Sequence, residues 1–241
     1  MLSVRIFMHA RVDCLQRGRR FLPLFVLPLL VACTQPALGE DHHPMPSLQD
    51  PKSLWQQRRQ QLDGFTDWEL KGRLAVRTEG RSDVASLIWK RNGIEQEIQL
   101  FGPFGGGRVR ISESAGNAVL RDGTGQEFRG RTAEEVLYRA VAWHVPFTAL
   151  GYWVRGLPAP ELAYRVGFDY GGRARELNQS GWEIEYPEYR KFQGLELPYK
   201  IKILALPGTI QAVTGDGVES VELFSVKFVI NYWNGEPKSQ P

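Results

Sequence analysis

In much of the chain after residue 67, apolar and polar side chains alternate, so that nearly every second residue is apolar. This pattern constrains the fold more than any other feature. In the first such segment, Leu70, Leu74 and Val76 alternate with charged residues. Because successive side chains of a β-strand point to opposite faces, the pattern predicts a strand with one buried face and one wet face. The alternation recurs around 85–89, 94–100, 108–111, 119–128, 162–166, 182–186, 199–205 and 221–233.

Glycine-containing turns separate several of these strands. Asn92-Gly93 and Ser180-Gly181 each precede an alternating segment, and Asp122-Gly123 marks a turn within 119–128. Asn-Gly between two such segments is a strong signal for a tight antiparallel hairpin. We therefore expect a mainly β protein with about ten or eleven curved antiparallel strands.

Helical patterns interrupt the strands. Asp50-Pro51 fits an N-cap followed by proline at the first helical position, and it predicts a helix over 52–63. Thr132 and Glu135 fit a capping box at the start of a second helix. A third is predicted to begin at Pro146 and to be ended by Gly156 and Pro158. The last two helices have apolar stripes, so we expect them to pack on the open side of the sheet. The stripe residues are Ala133, Val136, Leu137, Ala140, Val141, Phe147, Leu150, Val154 and Leu157.

The N-terminal residues have the layout of a bacterial lipoprotein signal. Four arginines, from Arg11 to Arg20, precede an uncharged apolar run, 21–32, that ends in Leu30-Val31-Ala32-Cys33. This run is shorter than the roughly 20 residues that a membrane-spanning helix needs, and its position is typical of a secretory signal. We predict cleavage before Cys33 and acylation of its thiol. The alternative is a plain signal peptide with a chance cysteine. Translation starts at Met1 or Met8.

Removal of residues 1–32 leaves a nearly neutral chain. These residues contain five of the 30 Lys and Arg and one of the 27 Asp and Glu, so the mature chain has 25 basic and 26 acidic residues. This balance does not indicate nucleic-acid binding. Cys14 is lost with the signal and Cys33 is acylated, so no thiol remains for a disulfide, for catalysis or for a metal.

Motifs for catalysis or metal binding are missing from the mature sequence. His144 has no nucleophile near it in sequence, and Glu134-Glu135 fall in a first helical turn, where acids complement the dipole. The glycines of 102–107 lack the lysine that follows a phosphate loop. His42 and His43 lie on a proline-rich segment without further ligands. We therefore expect no enzyme activity, cofactor or metal.

Apolar side chains are abundant in the mature chain, which contains all seven Trp and all eight Tyr. An ordinary core and a ligand cavity explain this abundance equally well. A concave sheet with an apolar inner face and a helical cover is nevertheless able to enclose an apolar ligand.

Nine parts of the sequence resemble a known family. They are Trp55, 68–76, 86–89, 102–105, the helix that begins at Thr132, 150–158, 179–186, Leu197-Pro198 and 226–233. In this order and spacing they resemble the LolB family of outer-membrane lipoprotein receptors. The resemblance implies an incomplete, half-open antiparallel β-barrel with a helical lid over an apolar cavity. It also implies that the protein accepts lipoprotein acyl chains from the periplasmic carrier LolA and inserts them into the outer membrane.

The sequence and the resemblance together predict domains, partners and site residues. Partners are LolA, acylated lipoproteins and outer-membrane lipid, and the protein is expected to be a monomer on the periplasmic side of the outer membrane, anchored through Cys33. A structural or assembly lipoprotein without a cavity, and a lipid-anchored hydrolase, are the alternatives. The predicted domains of the chain are a signal peptide at 1–32, a lipidated tether at 33–51, a lipoprotein-binding barrel at 52–235 and a tail at 236–241.

Two groups of site residues are predicted. Pro103, Phe104 and Gly105 form a membrane-insertion loop, in which Phe104 stands where the family tends to have leucine. The segment 206–220 looks longer than the corresponding turn of the family. The acyl-chain cavity is predicted from Leu70, Leu74, Leu87, Trp89, Ile98, Leu100, Val136, Leu137, Val141, Leu150 and Trp153.

Overall fold

A computed structural model describes residues 50–102, 107–141, 145–214, 217–220 and 223–237. The predicted signal peptide, Cys33, all of the tether before residue 50, and Pro103, Phe104 and Gly105 lie outside these residues. All the helices and strands belong to one compact unit, Ser47–Pro241. Among the described helices, none is long and apolar enough to cross a membrane.

Thirteen strands are described, and eleven of them form one antiparallel sheet, which confirms the predicted mainly β fold. The sheet order is β6-β5-β4-β3-β2-β1-β13-β10-β9-β8-β7, so β6 and β7 are edge strands and the barrel is not closed. The strands are β1 (Trp68–Thr78), β2 (Arg81–Asn92), β3 (Glu95–Gly102), β4 (Gly107–Ser114), β5 (Asn117–Arg121), β6 (Glu127–Gly130), β7 (Tyr164–Phe168), β8 (Ala174–Gln179), β9 (Trp182–Phe192), β10 (Leu195–Ala205), β11 (Gln211–Thr214), β12 (Gly217–Ser220) and β13 (Phe224–Asn234).

The strand register defines two ends of the barrel. The β1–β2 and β5–β6 turns lie at one end, together with the paired strand ends Gly102 and Gly107. We call this the mouth end. The β2–β3 and β4–β5 turns lie at the opposite end, which we call the far end.

Three helices accompany the sheet: α1 (Pro51–Asp63), α2 (Ala133–Val141) and α3 (Phe147–Trp153). The predicted caps are confirmed. The Asp50 side chain accepts a hydrogen bond from the backbone N–H of Lys52. At the start of α2, the backbone N–H of Glu135 donates to Thr132 Oγ1 at 3.2 Å. The Glu135 carboxylate accepts from the N–H of Arg131 at 2.7 Å, one residue before the expected partner.

Local predictions were wrong in three places. The β2–β3 turn consists of Gly93 and Ile94, because Asn92 already pairs with Glu95. Ile94, predicted on the apolar face of a strand, is therefore 75% exposed in the turn. The third helix ends at Trp153 rather than near Gly156. The segment 206–220 contains a separate two-stranded sheet, β11 with β12, where only a long turn was expected.

The inner face of the sheet contains the main core. Alternation holds strictly in β1, where Leu70, Leu74 and Val76 are buried and Lys71, Arg73 and Arg77 are exposed. Helix α2 packs on β4, β5 and β6, and α1 packs on β7, where Trp55 stacks on Phe168 with ring centroids 6.3 Å apart. The two helices thus cover opposite edges of the open sheet.

Candidate functional site

An apolar cavity lies between the inner face of the sheet and the helices α2 and α3. Its volume is about 40 Å³, and only apolar atoms face it. Strands β1, β2, β3 and β13 provide most of the wall, because their inward positions fall at every second residue. The lining residues are Leu74, Val76, Leu87, Trp89, Ile98, Leu100, Leu137, Val145, Phe147, Leu150, Val226 and Phe228.

A second pocket adjoins this cavity at the mouth end. Its volume is about 250 Å³, and it shares Leu100 and Leu137 with the cavity. Its other lining residues are mostly apolar, but the polar residues Arg81, Asp122 and Gln126, which lie at or beside mouth-end turns, also contribute. The two spaces thus lie side by side, with the apolar cavity at the centre of the barrel and the partly polar pocket at its mouth end.

Aromatic rings and a short polar chain close the cavity at the far end. The Trp89 ring lines the cavity, and the Trp68 ring meets it edge-on with centroids 5.2 Å apart. Trp89 Nε1 donates to Gln96 Oε1 at 3.1 Å, and Gln96 Nε2 donates to Glu113 Oε2 at 2.6 Å. Glu113 Oε2 also accepts from the backbone N–H of Ala133 at 3.2 Å, so the chain ends at the first residue of α2.

Helix α3 is fixed to the barrel by a buried glutamine. Trp153 Nε1 donates to Gln179 Oε1 at 2.9 Å, and the same oxygen accepts from the N–H of Ala159 at 2.8 Å. Gln179 Nε2 donates to the carbonyl of Ala159 at 2.8 Å. Gln179 is 2% exposed, so breaking these bonds leaves polar groups without water.

A buried arginine joins the end of α3 to the segment after α1. Arg155 Nη1 donates to the carbonyl oxygens of Leu62 at 3.1 Å and Phe65 at 2.7 Å, and Arg155 Nε donates to that of Gly151 at 3.0 Å. Burial, and then the nearby Arg91 guanidinium, lower the pKa of Arg155 to about 10. Arg155 therefore remains protonated at neutral pH and stabilises three carbonyl groups.

Helix α2 is held by contacts nearer the surface. Glu134 Oε1 accepts from the backbone N–H of Thr148 at 2.8 Å and thereby joins α2 to the start of α3. Arg139 Nη1 donates to the carbonyl of Arg129 at 2.7 Å. Both bonds are exposed, and water competes for exposed hydrogen bonds. The apolar face of α2, with Val136 and Leu137, remains buried.

The structure brings together most of the residues predicted for the acyl-chain cavity. Leu74, Leu87, Trp89, Ile98, Leu100, Leu137 and Leu150 line the cavity. Leu70, Val136 and Trp153 are fully buried outside its lining, and Val141 is 43% exposed and lines the mouth pocket. Their binding of acyl chains stays a prediction. The lipidation site Cys33 and the loop residues Pro103, Phe104 and Gly105 lie outside the described residues.

Sequence reasoning missed several residues that shape the site. Val226 and Phe228 line the cavity, and the alternation in β13 was sufficient to place them on the inner face. Gln179, Arg155 and Glu113 were missed for a different reason. Apart from Gly151, which lies four residues from Arg155, their partners are 17 to 93 residues away in the chain, and no local pattern indicates such contacts.

A larger hollow lies elsewhere. It measures about 630 Å³ and lies at the far end, where it is lined mostly by charged and polar residues, such as Glu69, Lys90 and Glu113. Such a lining does not suit a hydrocarbon ligand. Within the part of the chain that the structure describes, no group of three or more His, Cys, Asp or Glu residues is placed to hold a metal ion.

Comparison with known proteins adds independent information. A family model described as outer membrane lipoprotein LolB matches residues 66–233. An outer-membrane lipoprotein LolB from Chromohalobacter salexigens is 32% identical over 184 residues, which cover 76% of this chain and 83% of that protein. One from Pseudomonas paraeruginosa is 31% identical over 187 residues, with coverage of 78% and 89%. A solved LolA superfamily protein from Nitrosomonas europaea gives a TM-score of 0.42 at 10% identity and covers 79% of this chain and 94% of that one.

Proposed function

The chain belongs to the LolB family of outer-membrane lipoproteins, and from this premise we propose that it accepts lipoprotein acyl chains from the periplasmic carrier LolA and inserts them into the outer membrane. The observation that carries the proposal is the wholly apolar cavity, which adjoins a pocket at the mouth end. A polar catalytic cluster is not needed for this role, and the family is one of lipoproteins rather than known enzymes.

Physical chemistry explains why such a receptor is useful. Each methylene buried from water contributes about 0.8 kcal/mol, so a lipoprotein with several long acyl chains needs cover while it crosses the periplasm. Transfer without nucleotide hydrolysis must run downhill in free energy from carrier to receptor to bilayer. The receptor must therefore bind the chains more tightly than LolA does and less tightly than the bilayer.

Acyl binding requires the cover of the cavity to move. The cavity of about 40 Å³ and the mouth pocket of about 250 Å³ are small, since pockets for drug-sized ligands measure roughly 300–1,000 Å³. Helix α2 separates the two spaces from solvent, because Leu137 lines both and Val141 lines the mouth pocket. Outward displacement of α2 would join and enlarge them.

The anchor and the membrane contact complete the proposal. Acyl chains on Cys33 hold the mature protein to the periplasmic side of the outer membrane, and the predicted tether, 33–51, connects them to the barrel. Thr34 follows Cys33, where an aspartate would resemble an inner-membrane retention signal. Phe104 comes two residues after Gly102, which ends a strand at the mouth end. In our proposal its loop touches lipid during delivery. Burial of one such side chain gains on the order of 1.5–3 kcal/mol, enough for transient contact.

The direct test is transfer of a radiolabelled lipoprotein from LolA to the chain that starts at Thr34. We expect Ile98→Glu to reduce acceptance strongly, because an unpaired charge in an apolar pocket is costly. The matched control is Ile88→Glu, which makes the same substitution on the outer face of the neighbouring strand β2 and should accept normally. Circular dichroism checks that both variants fold. If the wild-type chain accepts neither lipoprotein nor fatty acid, the protein is a structural lipoprotein instead.

Phe104 has a separate test in liposome insertion. We expect Phe104→Glu to accept from LolA almost normally but to insert poorly, whereas Phe104→Leu should behave like the wild type. Equal loss of acceptance and insertion would place the ring in the cavity. No loss of either would remove Phe104 from the mechanism.

A further inference from the structure

The outer face of the sheet has an unusual charge distribution near the mouth end. Five neighbouring strands, β13, β1, β2, β3 and β4, present thirteen outward residues in this half of the sheet, and five are basic while none is acidic. We call this surface the basic face. Its residues are Ser225, Lys227, Val229, Arg73, Ala75, Arg77, Ser82, Val84, Ser86, Gln99, Phe101, Arg108 and Arg110.

Most charges of the basic face are not neutralised by the protein. Arg73, Arg77 and Lys227 are exposed and form no ion pair with any residue that the structure describes. Arg108 lies over the Phe101 ring, 4.8 Å from its centroid. Only Arg110 has an acidic partner, Glu97 at 3.4 Å.

The half of the same strands that lies nearer the far end has a different charge distribution on its outer face. There Glu69 pairs with Lys71 at 3.0 Å and with Lys90 at 3.6 Å. Glu95 and Glu97 lie on the same outer face of β3. The far half therefore has balanced charge, and the positive excess is confined to the half that borders the mouth end.

Exposed apolar side chains lie among these basic residues. Val84 is 49% exposed and Val229 is 38% exposed, and they are cross-strand partners of Ala75 and Arg73. Basic side chains interspersed with apolar ones suit the surface of an anionic bilayer, where the charges attract lipid phosphates and the apolar groups reach the acyl boundary. The surface of an acidic protein would neutralise these charges equally well. We favour the bilayer as the binding partner because the mouth pocket lies at the same end of the barrel.

We propose that the basic face binds anionic phospholipid headgroups and turns the mouth end of the barrel toward the bilayer. The proposal deepens the proposed function and rests on it for the direction of delivery, but membrane binding by this face is measurable without any acyl cargo. Electrostatic attraction to the bilayer acts over about 8–10 Å at physiological salt, so it orients the barrel before any loop contact forms.

The test uses the chain from Thr34 to Pro241, which retains the whole compact unit, and vesicles of phosphatidylcholine with or without phosphatidylglycerol. The variant Arg73→Gln/Arg77→Gln/Lys227→Gln removes three charges from the basic face. The control Lys71→Gln/Lys90→Gln/Arg190→Gln removes three charges from residues that are ion-paired near the far end. Each basic residue near an anionic surface changes partitioning about fivefold, so the triple variant should lose binding on the order of a hundredfold.

The expected result is salt-sensitive binding to the phosphatidylglycerol vesicles only, lost in the basic-face variant and nearly kept in the control. Equal loss in both variants would overturn the proposal, since net charge alone would then explain binding. The proposal would also be overturned if the basic-face variant bound vesicles normally but no longer accepted lipoprotein from LolA. The face would then be a docking site for an acidic protein. If vesicle binding behaves as expected but the wild-type chain accepts no lipoprotein, the proposed function fails while the basic face stands.

Discussion

Helices α2 and α3 cover the same cavity but are attached to the barrel in different ways. The bonds of α3 through Gln179 and Arg155 are buried, and every partner is a backbone or indole group of a fixed element. The bonds of α2 through Glu134 and Arg139 are exposed. Exposed hydrogen bonds can exchange with water at little cost, whereas buried ones cannot.

This difference indicates which part of the cover opens. Displacement of α3 would leave Trp153 Nε1 and several carbonyls unsatisfied, at about 1–3 kcal/mol for each group. Displacement of α2 exposes mainly Val136 and Leu137, and an entering acyl chain replaces the apolar contacts that they lose. We therefore treat α3 as part of the cavity wall and α2 as the movable lid. The following variants test this division.

The largest effect is expected for Arg155→Met. The substitution keeps the apolar stem but leaves the carbonyls of Leu62, Phe65 and Gly151 without their donor. We expect the free energy of unfolding to fall by about 4 kcal/mol in urea titrations. Arg139→Met on α2 is the matched control and should lose less than about 1 kcal/mol, because its bond is exposed. Similar losses in the two variants would remove the distinction between the helices.

Gln179→Leu should have the next largest effect. It leaves Trp153 Nε1 and the backbone N–H of Ala159 buried without an acceptor. We expect a loss of about 2–3 kcal/mol and faster hydrogen exchange in α3. Unchanged exchange in α3 would show that Gln179 does not fix the helix.

Glu113→Ala should loosen α2 at its first residue. The carboxylate accepts from the N–H of Ala133 at a helix N-terminus, where loss of such an acceptor costs about 1 kcal/mol. We expect faster uptake of a fluorescent fatty acid, because α2 opens more often. Glu97→Ala, on the outer face of β3, is the control and should not change uptake. Slower uptake in Glu113→Ala would contradict the lid assignment.

Glu134→Ala should have the smallest effect on stability. It removes the acceptor for the Thr148 N–H and hydroxyl, and both bonds are exposed. We expect a loss of about 0.5 kcal/mol together with increased hydrogen exchange in α2 only. Glu134→Gln retains an acceptor oxygen and should remain close to the wild type. Equal hydrogen exchange of α2 in Glu134→Ala and Glu134→Gln would mean that the bond between Glu134 and Thr148 does not restrain α2.

The sequence allowed confident prediction where structure follows from local pattern. Alternation placed Leu74, Leu87 and Ile98 on the inner face, because a strand has a strict period of two. The capping residues Asp50 and Thr132 were identified for the same reason, since caps involve only neighbours. The β2–β3 turn was misplaced by one residue, because the Gly at position 93 fits the first as well as the second loop position.

The features that the sequence did not predict depend on contacts between residues that are distant in the chain. An apolar lining and a solid core require the same residue types, so the pattern of Leu, Val and Trp was unable to distinguish them. The roles of Gln179 and Arg155 arise from partners on other elements. The short β11–β12 hairpin escaped prediction because its two strands have only four residues each, too few for a clear alternation.

The most direct measurement of the lid assignment is electron paramagnetic resonance between pairs of spin labels. The chain from Thr34 contains no cysteine, so labels attach only at introduced sites. One pair joins Tyr138→Cys, an exposed position on α2, to Ser86→Cys on the outer face of β2, and the other joins Thr148→Cys on α3 to the same Ser86→Cys. When acylated lipoprotein is bound, we predict a longer distance for the α2 pair and an unchanged distance for the α3 pair. An unchanged α2 distance with bound lipoprotein, or an equal change in both pairs, would contradict the account.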